Sequence, residues 1–281
     1  MDEKAMAEAH EKFVAKYEKQ PFYDIFPMLS VLLLLSAFGI FGNVNIVWAS
    51  IRKKNLRSHC NIMIAAAAFS DVFHQMSHFI LGYHIFSAHT FIPLVRCFWL
   101  QIVSVFWMDF GTFIVLSIGL DRLFSVLFPI SYKTMRSKIY LPFMLFVPSA
   151  FAVFMTLQNY YSVMKYANVK VICLIVETNY AEAKIQFLNI MACLNFGIII
   201  VYSAIWIVIK LRNGTIDKKI MRSLSVIVCL ILFGWFAASA IISFGISKGW
   251  SEEQIFNAHM YIGSLVNVAI SMQYLVYMFF S

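Results

Sequence analysis

Seven stretches of this chain are long, apolar and almost free of charge, at 25–51, 61–86, 94–127, 139–164, 184–211, 219–247 and 254–280. In hydrocarbon the backbone finds no water, so only helices or closed barrels can cross a bilayer, and a helix needs about 20 apolar residues to do so. These runs have the length of helices and lack the alternation of barrel strands. The composition agrees, with 61% hydrophobic and 13% charged residues where soluble proteins carry about 25% charged. The expected fold class is all-α membrane, a seven-transmembrane helix bundle over 25–281 that forms one domain, with 1–24 as a tail. The connections are too short to hold a soluble domain.

A net charge of +8 would point to nucleic acid in a soluble protein, but here the bases follow an alternating pattern. The first, third and fifth connections hold Arg52, Lys53, Lys54 and Arg57, then Lys133, Arg136 and Lys138, then Lys210, Arg212, Lys218, Lys219 and Arg222. The other three hold Arg96, Lys165, Lys170, Lys184 and Lys248. Base-rich loops stay cytoplasmic, which puts the N-terminus outside and the C-terminus inside, with the lipid bilayer and no nucleic acid as partner. The tail reads equally well as a short charged helix over 2–19 or as a disordered segment.

Polar groups inside the spans are costly in lipid and mark function or helix pairing. In the second span Asp71, His74 and His78 fall within an arc of about 60° at 100° per residue, a stripe facing the bundle. The histidines could bond internally or serve a ligand or a proton; lacking a third ligand at metal spacing, they leave the metal expectation at none. Asn43 in the first span is expected to bond a neighbouring helix, since an unsatisfied buried amide costs about 1–3 kcal/mol. Asp109 lies about 140° round the third helix from Ser104. Ser104 is therefore expected to line a central cavity, and Asp109 to meet Tyr160, Asn189 or Asn195 on the fourth or fifth span.

Asp121 and Arg122 stand together at the inner end of the third span. An arginine there can snorkel to the headgroups with the acid as helper, or the pair can be functional. Of the five cysteines, Cys193 and Cys229 lie within spans and Cys60 at a cytoplasmic end. Only Cys97 and Cys173 then face the oxidising side, and their disulfide would tether the 165–183 loop over the bundle mouth.

Gly42-Asn43, Ser70-Asp71, Cys97, Asp121-Arg122-Leu123 and Phe128-Pro129-Ile130, with Arg122 following Cys97 by 25 residues and Pro129 following Arg122 by seven, form a familiar set. The chain resembles rhodopsin-like G-protein-coupled receptors, and within them the nematode serpentine chemoreceptors of the Srsx type. The resemblance implies that Asp121 holds Arg122 at rest, that Arg122 swings to a heterotrimeric G protein when the sixth helix moves, and that Ile130 docks in that partner. It also implies a buried polar or sodium site of Asn43, Asp71, Gly111 and Gln273, and tyrosines Tyr202 and Tyr277 that restack on activation. The chain departs from the family pattern at Leu123, at Gln273-Tyr274, and in lacking a proline after Phe233-Gly234-Trp235-Phe236 or in the fifth span.

The expected protein is a multi-pass receptor of the plasma membrane that catalyses nothing and uses no cofactor. Its ligand, a small molecule or peptide, would sit among His78, Ser104, Met108, Asn189, Ser243 and Asn267. The scarcity of charge there favours a small, weakly polar ligand such as an odorant. The seventh span has no lysine, which excludes a retinal Schiff base, and Ser104 stands where amine receptors carry an aspartate. Asn213-Gly214-Thr215 spells a glycosylation sequon, expected to be unused in a cytoplasmic loop. The alternative from another class is an ion- or proton-linked transporter or channel built on Asp71, His74, His78 and Asp109, although no inverted repeat is evident.

Overall fold

Six of the seven apolar runs are long helices whose ends lie within two residues of the expected ones. The structure, a computed structural model, describes residues 3–18, 23–211, 226, 234 and 237–280. The helices are α1 (Glu3–Tyr17), α2 (Phe26–Arg52), α3 (His59–Phe86), α4 (Leu94–Leu127), the short α5 (Pro129–Thr134), α6 (Ser137–Lys165), α7 (Glu182–Leu211), α8 (Ala237–Ser247) and α9 (Glu252–Phe280). Of the expected sixth run only α8 and the single residues 226 and 234 are described; Phe233, Trp235, the sequon at 213–215 and Cys229 lie outside the described residues. Five of these helices are long and apolar enough to cross a membrane. Helix α3 is as long, but Asp71, His74, Gln75 and His78 lower its mean hydropathy.

Local chemistry sets the ends. Proline stands in the first turn of α2, where its missing N–H costs nothing. Ser58 caps α3 by accepting the Asn61 N–H at 3.3 Å. Pro129 drives Phe128 out of helical geometry, to φ −128° and ψ 63°, so α4 ends and α5 begins. At the end of α8, Gly249 takes φ +72° while the Trp250 and Gly249 N–H groups reach back to the carbonyls of Gly245 (2.9 Å) and Ile246 (3.1 Å). That closure needs a left-handed residue, which glycine adopts at little cost. Ser251 and Gln254 then satisfy each other's N–H groups at the start of α9.

Helix α4 is the axis of the bundle. It packs against α3, α6 and α7, while α2 packs against α3 and α9. Its most apolar stretch is 56% buried, against 17% in α6, whose side chains are mostly uncovered among the described residues. At one end, strands β1 (Phe91–Pro93) and β2 (Lys170–Ile172) pair antiparallel, with Ile92 opposite Val171. The Cys97–Cys173 disulfide lies beside them. Gln101, fully buried, donates to the carbonyls of Ser77 (3.2 Å) and Cys173 (3.3 Å), which ties α3, α4 and the loop together.

The N-terminal segment is a docked helix. Its buried positions, His10, Val14 and Tyr17, follow a helical period, and Phe13 and Tyr17 join Leu29, Leu81, Ile85 and Phe256 in one apolar cluster. The His10 ring sits between the Glu252 carboxylate and the Lys170 carbonyl, each at 2.8 Å. Both partners accept, so the ring must donate from both nitrogens and carry a charge. Tyr17 donates to Glu253 at 2.7 Å, and Lys16 pairs with the same carboxylate at 2.9 Å.

Candidate functional site

At the end of the bundle opposite the disulfide, α4 brings Asp121 to a fully buried position while Arg122 stays partly exposed. The Arg122 guanidinium donates to Asp121 Oδ2 through Nε at 2.9 Å and also through Nη2. The remaining oxygen, Oδ1, accepts from the phenols of Tyr132 (2.9 Å, α5) and Tyr140 (3.0 Å, α6). Arg122 Nη2 also donates to the Tyr132 oxygen at 3.0 Å. The carboxylate thus has a partner for each oxygen, the condition under which a buried charge is tolerated. Burial, with Asp121 acting against the opposing pull of Arg122, pushes the Tyr132 phenol up, so it remains a proton donor.

His59, at the start of α3, closes the cluster from the side. Its ring meets those of Tyr132 and Tyr140 edge-on at 5.7 and 5.3 Å, and its Nε2 lies 2.7 Å from Ser137 Oγ. Sequence reading found the acid and the base but missed these three aromatic partners. The phenols stand 11 and 19 residues beyond Asp121, and only that proximity marks them among the chain's 13 tyrosines. A snorkelling arginine would carry its charge out to the headgroups; this one is turned back onto its neighbour.

With this lock at one end and the disulfide at the other, the arrangement can be set beside known proteins. The family described as serpentine type 7TM GPCR chemoreceptor Srsx matches residues 36–281. The chain belongs to this family. No individually curated protein matches it. Srsx is a family of receptors, not of enzymes or transporters, which does not favour the transport alternative.

In this Srsx chain the structure gathers most of the expected buried polar site. Gln273 on α9 donates to Asp71 Oδ2 at 3.0 Å. Gly111 lies so near Ser70 that a Cβ there would come within 2.6 Å of the Ser70 hydroxyl. Asn43 is fully buried, but among the described residues neither its amide nitrogen nor its oxygen has a partner, so the bond expected for it is not formed there. The departure at Gln273-Tyr274 has a packing consequence: the Tyr274 side chain fills the space over Gly42, where a Cβ would meet it at 2.7 Å. Tyr202 packs its ring on Gly119 in the same way, at 2.7 Å, and its buried hydroxyl has no partner among the described residues. The Tyr277 side chain lies outside the described residues.

The expected ligand residues divide. His78 is buried and bonded inside the bundle, to Ser36 Oγ (3.2 Å) and Asn267 Nδ2 (3.3 Å), which links α2, α3 and α9. Met108 is buried among Val105, Met155, Phe187, Met191 and Ile175, the last reaching in from the tethered loop. Ser104 lines a groove between α3 and α4. Asn189 and Ser243 are exposed, so the structure does not bring them together with the enclosed residues. Asp109 and Asn195 are buried, and among the described residues Asp109 Oδ1 and Asn195 Nδ2 have no partner. None of the expected bonds from Asp109 to Tyr160, Asn189 or Asn195 forms among the described residues, and Asn189 is exposed on α7. Among the described residues no group of three His, Cys, Asp or Glu side chains is placed to hold a metal.

Proposed function

We propose that this chain is a chemosensory receptor of the plasma membrane, with residues 1–24 and the disulfide outside and the Asp121 lock facing the cytosol. A small, weakly polar ligand, bound near Met108 beneath the tethered loop, biases the bundle toward a state in which Arg122 leaves Asp121. Arg122 and the apolar Ile130 then engage a heterotrimeric G protein. The observation that carries this reading is the lock itself: a buried carboxylate holds a guanidinium by bonds that can break without unfolding a helix. Ile130 supports it, standing 81% exposed on α5 where no core residue covers it. The unpartnered Tyr202 hydroxyl supports a second arrangement in which it gains a partner. Asp71 with Gln273 is the polar hinge between α3 and α9 in this reading. The test is Arg122→Ala at matched expression, with candidate odorants applied to cells carrying a G-protein reporter. The reading expects the agonist response to disappear, and an undiminished response would contradict it.

A further inference from the structure

Beside the bundle core, α3 and α4 leave a groove of about 510 Å³ on their outward face near the disulfide end. Its walls are Met76, Ile80, Leu100 and Val103, of which Met76, Leu100 and Val103 are 48%, 43% and 51% exposed. In a multi-pass membrane protein such apolar exposure faces hydrocarbon. The groove is polar only at its ends. Arg96 stands at the mouth, exposed and without an ion pair among the described residues. His84 beside it is 5% exposed, and its buried Nδ1 does not open onto the groove. Ser104 marks the deep end, eight residues further along α4, or roughly 12 Å at 1.5 Å per residue.

We propose that this groove binds a single-chain anionic amphiphile, a fatty acid carboxylate taken from the bilayer, with its head on Arg96 and its chain running toward Ser104. The Arg96 guanidinium has no counter-charge among the described residues, and a carboxylate pairs with it through charge-assisted hydrogen bonds. The volume falls in the range of about 300–1,000 Å³ typical of small-ligand sites and suits one chain. Nothing in this assignment depends on coupling to a G protein, so it can fail or stand separately from the receptor reading.

The experiment uses the full chain in nanodiscs of phosphatidylcholine and a photoreactive palmitate as probe. Labelling should saturate and map to α3 or α4. Arg96→Gln should weaken it at least tenfold while Arg96→Lys stays within about threefold, and Val103→Trp, which fills the groove from its lipid side, should abolish it. Unlabelled hexadecanol should compete at least tenfold less well than palmitate. The proposal is overturned if Val103→Trp labels like the parent, if hexadecanol competes as well as palmitate, or if dipalmitoyl phosphatidic acid displaces the probe at lower concentration than palmitate does, which would assign the groove to a two-chain lipid.

Discussion

At the disulfide end, closure is covalent and layered: Cys97 is joined to Cys173, a two-stranded sheet lies beside that bond, and α1 is laid across the ends of α2, α3 and α9. A further cluster ties the loop down, where Glu177 meets Lys184 at 2.9 Å and His259 at 2.8 Å. Burial alone would raise the Glu177 carboxyl, but the Lys184 ammonium and the hydrogen bond from His259 hold it well below the usual carboxylate range. At the opposite end the closure runs through one carboxylate and three donors. The first end is held by a covalent bond and several layers of contacts, the second by hydrogen bonds to one carboxylate.

Removing the covalent tie should cost most. The disulfide closes a 76-residue separation, worth about 4 kcal/mol on chain entropy alone. Cys97→Ala should therefore lower the melting temperature sharply and deplete the folded receptor, as a thermal melt of purified protein would show. Single losses at the lock should be smaller. Tyr140→Phe removes one hydrogen bond to a charged group and Tyr132→Phe two, each worth about 1.5 kcal/mol. Each should raise basal activity roughly tenfold or more with little change in melting temperature, whereas equal basal activity in both would show that the phenols hold nothing.

The docking of α1 should respond least, and only to pH. Burial lowers the basicity of His10, but the bond to Glu252 and its charge, with the Lys170 carbonyl and the Glu177 charge, together outweigh that and the net shift is upward. The contribution is complete below about pH 6.5, the ordinary histidine value, and fades as pH rises through the raised one. Amide exchange in α1 should therefore quicken on going from pH 6 to pH 9, after correction for intrinsic rates, and His10→Phe should remove that dependence.

How far the sequence reaches also differs between the two ends. The helices were legible because each is a continuous apolar run, and 94–127 is matched residue for residue by α4. The disulfide was legible because topology left only two cysteines on one side. Asp121 and Arg122 were legible because a charge pair inside such a run is conspicuous. Tyr132, Tyr140 and His59 were not, since their meeting depends on how α5 turns back under α4, a tertiary event with no local period. The orientation of α7 was illegible for the same reason: a helix apolar nearly all round does not declare its buried face, and Asn189 ends up exposed. Asp109 fails a different expectation, because sequence can name a plausible partner but cannot set the distance to it.

The central claim is that Asp121 restrains Arg122 and that freeing it is the switch. Basal nucleotide exchange on a purified heterotrimeric G protein, measured for Asp121→Asn and for Asp121→Asn with Arg122→Ala in vesicles without ligand, tests it most directly. The account predicts raised exchange in the first and none above background in the second; exchange unchanged by Asp121→Asn, or raised in both, would contradict it.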